Sequence, residues 1–225
     1  MADDSRIAAR RRAALEARGA GYMERRRQLV EAAARVFAEK GFHKTSFSDI
    51  AEHLEIDRAS LYYYVGSKSD LFEAVALAPA EENIRSIEEI RASDLAPQEK
   101  LTAAIEQLMA SFHERYPYLY IYIREDVRKL EMDAKRDRRM HRIERRYNAA
   151  FVDIIVEGQE SGAFDPTLPP KVLAYSIVGM LAWSHQWFRP DGSVSGPEIG
   201  QGLATMVLEG LERKPAAKRA RRKAP

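Results

Sequence analysis

Apolar residues along this chain recur at intervals of three and four, the period of a helix buried on one side. Leu29, Ala33, Val36 and Phe37 set out a helix over 22–40, and Gly41 follows as its stop. Phe47, Ile50, Ala51 and Leu54 form one face of a short helix at 47–54. Glu55-Ile56-Asp57 break it, and a second short helix at 58–64 starts from Asp57 as its N-cap. Ser67 and Asp70 give a capping-box-like start to a fourth helix, 68–78, which Pro79 is expected to end or kink. Helical periodicity returns in 81–92, 98–115, 118–130, 133–160, 169–188 and 197–212, with breaks at Ala96-Pro97, Tyr116-Pro117, Gly162, Asp165-Pro166, Pro169-Pro170 and Arg189-Pro190-Asp191-Gly192. No segment alternates as a strand does, and no repeat is visible. The pattern predicts an all-α chain: a three-helix head with a helix-turn-helix, at 22–84, and a larger helical bundle, at 85–212.

Composition narrows the function. The 225 residues include no cysteine, so disulfide scaffolds, thiolate metal sites and thiol catalysis are excluded. No apolar run approaches the roughly 20 residues of a membrane helix. The first residues, MADDSRIAARRRAALEARGAG, have no apolar stretch after their arginines, so a secretory signal is not expected and a cytoplasmic location is. The net charge of +2 is unevenly spread. Residues 1–21 carry +2 and residues 213–225 carry +7, which leaves −7 for 22–212. Both termini lack apolar periodicity and are expected to be disordered basic tails, serving either solubility or attraction to a nucleic-acid backbone.

Two short helices joined by a three-residue turn, with a longer helix ahead, describe a helix-turn-helix. The second short helix has to present its outer face to a major groove while the first braces it from behind. On helical geometry Leu61, Tyr62 and Val65 share the inward face, whereas Ala59, Ser60 and Tyr63 point outward. Arg58, in the first turn, is free to reach a guanine edge or a phosphate. Thr45 and Ser46, ahead of the first short helix, and Lys68, at the start of the fourth, are placed to meet phosphates. Tyr62-Tyr63-Tyr64 also fits a core aromatic cluster.

The stretch TSFSDIAEHLEIDRASLYYYVGSKSDLF, 45–72, resembles the signature of the tetracycline-repressor (TetR) family of transcriptional regulators, through S-D-I-A, L-Y-Y-Y and S-K-S-D-L-F at family-like spacing. The resemblance covers roughly 24–84. It implies phosphate contacts from Thr45, Tyr62, Tyr63 and Lys68, and base or groove contacts from Arg58, Ala59 and Ser60. The chain departs from the family at Glu55, where a turn glycine is common, and at Val65, where phenylalanine is common. Residues 22–70 hold eight cations and eight anions, so long-range attraction to DNA falls to the tails.

The bundle is expected to sense a small molecule and to form a homodimer. Helix 169–188 is apolar on more than one side, and 197–212 carries Gly202 and Gly210, which permit close approach. In TetR-like proteins the last two helices pair across a twofold axis. The candidate interface is therefore Val172, Ile177, Leu181, Trp187, Leu203, Met206, Val207 and Gly210. Two heads related by a twofold axis imply a near-palindromic double-stranded operator. Candidate pocket residues are Phe112, Tyr116, Tyr120, Ile123, Ile143, Tyr147, Met180 and Trp183. Arg136 and Arg139 join them: on ideal helical geometry they lie within about 40° of Ile143, where a carboxylate or phosphate could be received, although a solvated or salt-bridged basic face fits equally. The segment 183–211 resembles TetR-like regulators of fatty-acid and sterol-side-chain breakdown, which implies an acyl-CoA effector and a repressor role. Other effectors in play are a drug-like compound or a free acid. No nucleotide-binding, hydrolase or metalloprotease motif is present, and the five histidines are scattered, so neither an enzyme, a metal site nor a cofactor is expected. A helical protein-binding adaptor is the remaining alternative.

Overall fold

The computed structural model describes residues 19–124 and 134–211. The described residues form helices and connecting turns, without a β-sheet. In chain order the helices are α1 (Gly19–Lys40), α2 (Phe47–His53), α3 (Arg58–Tyr64), α4 (Lys68–Phe72), α5 (Ala78–Ala92), α6 (Pro97–Glu114), α7 (Tyr118–Arg124), α8 (Ala134–Glu160), α9 (Pro170–Trp183) and α10 (Gly196–Leu211). A π-helical turn, Glu73–Leu77, joins α4 to α5, and a 3₁₀ turn, Ser184–Gln186, extends α9. The basic tails lie outside the described residues except at 19–21, which belong to α1, so that helix starts earlier than its apolar pattern does. The second half of the expected helix 118–130 also lies outside them.

Side-chain caps set the short helices of the head. Ser46 closes a capping box on α2 with Asp49, Asp57 accepts the amide of Ala59 at the start of α3, and Ser67 accepts that of Asp70 at the start of α4. The turn between α2 and α3 places Glu55 at φ 54°, a left-handed conformation that costs a non-glycine residue roughly 1–2 kcal/mol. Leu61 and Val65 of α3 are buried with Leu29, Phe37, Ile50 and Phe72.

Pro79, expected to end or kink the fourth helix, does not end it. It occupies the first turn of α5, where no amide donor is needed, and the wider π turn ahead of it removes the usual conflict with the preceding carbonyls. One rod, 68–92, thus runs from the helix-turn-helix into the bundle, and residue 84, the expected domain boundary, lies inside it. The buried cluster of the head continues into the bundle through Ile121, Met140 and Ile143. A second cluster, around Leu101, Ile105, Phe112, Phe151, Ile154 and Leu181, holds α6, α8, α9 and α10 together. Gly196 and Gly200 let α10 lie directly on α6: a Cβ at Gly196 would stand 2.4 Å from the carbonyl oxygen of Met109.

Candidate functional site

The outer surface of α3 is open. Arg58, Ala59 and Ser60 are exposed, and Tyr62 is 38% exposed. Arg58 donates to the Tyr62 hydroxyl at 3.0 Å and lies over its ring, while that ring packs edge-on against Phe47. Tyr62 was expected on the inward face and Tyr63 on the outward one; the structure differs on both. Tyr63 is half-buried, packed against Tyr22 and Tyr64, because α1 begins early enough to bring Tyr22 beneath α3.

Three candidate phosphate contacts are committed to internal bonds. Thr45 is buried, and its hydroxyl donates to the Gly41 carbonyl at 2.8 Å. Ser46 donates its hydroxyl to Asp49 at 2.6 Å within the capping box. The Lys68 ammonium donates to the carbonyls of Phe42 and Thr45 at 2.7 and 2.8 Å and sits over the Phe42 ring. It fastens the α1–α2 turn to α4, a positioning role that local sequence does not reveal because its partners are 23–26 residues away. His43 and Lys44, exposed on that same turn, were passed over.

Behind the head, α5, α6, α7, α8 and α9 enclose a cavity of about 700 Å³. Its wall includes Ile84, Leu108, Leu119, Tyr122, Met140 and Val178, with Asn83, His141, Glu144, Asn148, Tyr175 and His185 as polar or amphipathic members. Ile123, Ile143 and Tyr147, from the sequence candidates, are on it. The other candidates are not. Phe112 is buried in the second core cluster, Met180 packs against that cluster, and Tyr120 packs beside Tyr116 and His185. Tyr116 is 39% and Trp183 63% exposed.

Arg136 and Arg139 also stay off the wall, and the reason is electrostatic. Arg136 pairs with Asp70 and with Glu73, the latter at 2.9 Å. Arg139 pairs with Glu73 and forms a two-pronged contact with Glu81 at 2.6 Å. Arg146 does the same with Glu88. Hydrogen bonds from Arg139 hold the Glu81 carboxyl below its usual range, and those from Arg146 do so for Glu88. One stripe of α8 is thereby bound, carboxylate by carboxylate, to α4, the π turn and α5. Periodicity placed these arginines near the apolar stripe but could not show that acids 58–66 residues distant neutralise them.

Among the described residues the cavity wall holds no lysine or arginine. Asn83 accepts from Gln107 at 2.5 Å and Ser111 at 3.0 Å. The Tyr147 hydroxyl is buried without a hydrogen-bond partner, and burial pushes its ionisation far above the usual phenol range, so it remains a donor.

Beside the cavity, Val172, Tyr175, Gly179 and Trp183 form an exposed row on α9 at helical spacing, of which Tyr175 and Gly179 also line the cavity, with Trp187 just beyond. Met206 is 54% exposed on α10, and Cβ atoms built at Gly179, Gly202 or Gly210 would meet nothing. Of the interface candidates, Ile177 and Leu181 instead face their own core, and Leu203 and Val207 are half-buried against it. Ile177 and Leu181 lie on the opposite side of α9 from its open face, whereas Leu203 and Val207 border that of α10. No helix among the described residues is long and apolar enough to cross a membrane, and no cluster of metal-ligating side chains occurs among them.

Comparison with known proteins places both parts of this architecture. The family model for bacterial regulatory proteins of the tetR family matches residues 29–75, and that for the tetracyclin repressor-like C-terminal domain matches 94–211. The transcriptional repressor KstR2 of Mycolicibacterium smegmatis is 29% identical over 188 residues, which span 83% of this chain and 90% of that protein. The fatty acid metabolism regulator protein of Bacillus subtilis is 22% identical over 83% of this chain and 95% of its own length. The solved structure of the ketosteroid transcriptional regulator KstR2 of Mycobacterium tuberculosis superposes with a TM-score of 0.76 at 25% identity, covering 84% of this chain and 96% of that one. AibR, solved in complex with isovaleryl coenzyme A and operator DNA, shares the fold with a TM-score of 0.69 at 22% identity, over 81% and 97%.

Proposed function

We propose that this chain, which belongs to the TetR family of DNA-binding transcriptional regulators, is a homodimeric repressor released from a near-palindromic operator by an acyl-CoA. One observation carries the reading. The helix that walls the cavity, α8, is bonded through Arg136 and Arg139 to α4, the π turn and α5, the rod that leaves the helix-turn-helix. A ligand that displaces α8 therefore pulls on the head. The π turn, where Glu73 receives both arginines, is the point at which the rod can yield. A ligand shifts the equilibrium only by its difference in affinity for the two head positions, so the effector has to fit the cavity better when α8 has moved.

On the DNA side, Arg58, Ala59, Ser60 and Tyr62 meet the groove. Thr45, Ser46, Tyr63 and Lys68 hold the surface in shape. The open faces of α9 and α10, with Val172, Trp183, Trp187 and Met206, pair with those of a second subunit. On the effector side, a neutral apolar group suits a wall whose described residues include no lysine or arginine, and the Tyr147 hydroxyl offers a donor to a carbonyl such as a thioester's. The relatives support this chemistry: KstR2 is described as a ketosteroid regulator, another relative as a fatty acid metabolism regulator, and AibR holds isovaleryl coenzyme A. A free acid fits worse, since its carboxylate would be buried without a cation.

The test is to sequence the genomic fragments the protein retains, then titrate the complex with acyl-CoAs, free acids and unrelated drugs. Release by acyl-CoAs is expected. Retention of no specific fragment overturns the DNA reading, and release by none of the acyl-CoAs overturns the effector.

A further inference from the structure

The nucleotide half of an acyl-CoA needs a place of its own. A cavity of about 700 Å³ encloses one drug-sized group. Among the described residues its wall offers no lysine or arginine to an adenosine's phosphates. The phosphates have to lie outside the mouth.

The mouth has a basic side. His141 and Glu144 of α8 line the cavity and are exposed, so they mark its rim. On a helix the nearest surface neighbours of a residue are those three and four positions away. For His141 these include Arg138 and Arg145, at about 60° and 40° around the helix axis. Arg142 completes the stripe, four residues after Arg138 and three before Arg145. All three are exposed, and none forms an ion pair or hydrogen bond with a described residue. Their state contrasts with Arg136, Arg139 and Arg146, which flank the stripe on the side turned toward α4 and α5, each of which is matched by carboxylates. Three like charges at helical spacing repel one another, a local cost that no described acid offsets. Glu144, the acid on the rim, lies about 100° or more around the helix from the stripe.

We propose that Arg138, Arg142 and Arg145 form the phosphate-binding site of the effector, receiving the charged nucleotide end of a thioester whose acyl group fills the cavity. Guanidinium groups suit phosphate oxygens through paired N–H donors. The stripe would make the phosphates, rather than a carboxylate, the anionic determinant of recognition. This rests on the acyl-CoA reading above.

The test uses the full-length protein and two ligands with one acyl chain, decanoyl-CoA and S-decanoyl-pantetheine, which lacks the phosphates. Isovaleryl and cholanoyl pairs vary the acyl size. Calorimetric titration of wild type at low salt should show the CoA thioester binding at least about tenfold more tightly than its pantetheine counterpart. The exposed triple variant R138Q/R142Q/R145Q keeps helix-favouring side chains. It should bind both members of a pair alike, at the wild-type affinity for the pantetheine thioester. Equal binding of the two by wild type overturns the phosphate site while leaving the acyl cavity standing. Retained discrimination in the variant overturns it as well. Binding of neither member of any pair by wild type removes the thioester reading itself, and this site with it. A variant that loses DNA affinity with effector discrimination intact assigns the stripe to DNA phosphates and overturns the proposal.

Discussion

Two glycines on α10 look alike in sequence and should respond oppositely to alanine. Gly196 sits against α6: an added Cβ would stand 2.4 Å from the Met109 carbonyl oxygen and 2.7 Å from the His113 Cβ. Both distances are far inside van der Waals contact, and the nearer atom is backbone, which cannot rotate away. Overpacking of this kind costs about 1–3 kcal/mol. For a chain of this size each kcal/mol moves the melting temperature by roughly 2–4 °C, so Gly196→Ala should melt about 2–12 °C lower. At Gly202 the same Cβ meets nothing within one subunit. There, alanine removes the conformational cost of glycine in a helix, about 1 kcal/mol, and an isolated subunit would melt roughly 2–4 °C higher.

If α10 pairs closely with a second subunit, however, the Cβ at Gly202 intrudes on the interface and self-association weakens. Sedimentation equilibrium, with melting followed over a range of protein concentration, separates the two effects. The expected result is a destabilised subunit for Gly196→Ala and a loosened dimer for Gly202→Ala. An unchanged melting point for the first refutes the seating of α10 on α6. Undiminished association together with a raised melting point for the second refutes a close-packed interface at that glycine.

Three further outcomes follow from the head and its link to the bundle. Glu55→Gly should stabilise the protein by about 0.5–1.5 kcal/mol, because it relieves the left-handed φ of 54° at the cost of some chain entropy; urea denaturation reads it, and destabilisation would contradict the turn geometry. Glu73→Gln removes the carboxylate shared by Arg136 and Arg139, each of which keeps a second acid, so the stability loss should be modest, about 0.5–2 kcal/mol after allowance for partial exposure. The larger effect should be on the change in DNA affinity that the effector causes, and an unaltered change would remove the arginine stripe from the coupling route. Acidification should loosen the same link. The Glu81 and Glu88 carboxyls are held below their ordinary range in the folded protein, so their contribution is complete above about pH 4.3, the unfolded value, and is lost as pH falls through the lower folded values. Hydrogen-exchange protection across 73–92, corrected for the slower intrinsic exchange in acid, should therefore fall below pH 4 before that of α6 does, and a uniform loss of protection would count against it.

Most helices were legible because each buries one face, and burial leaves a period in the sequence. The caps at Asp57 and Ser67 were legible for the same local reason, since a cap and its partner lie within three residues, whereas Ser46, read as a phosphate contact, caps α2. What local pattern could not supply was the destination of long polar side chains. Lys68, Arg136 and Arg139 were read as reaching outward toward anions, and each is spent inside the protein on partners that local spacing does not connect. The error ran in one direction, because a cation counted by composition carries its full charge while a cation in the fold carries only what its neighbours leave. Helix α8 shows the consequence. Its run of arginines is a single basic block in sequence, yet folding divides it into a stripe neutralised against α4 and α5 and a stripe that remains charged beside the cavity mouth. The first can transmit a movement and the second can attract an anion. The same division accounts for α9, where apolar residues on two faces were pooled into one interface. Ile177 and Leu181 serve the subunit's own core, Tyr175 also lines the cavity, and the side with Val172 and Trp183 is left for another surface.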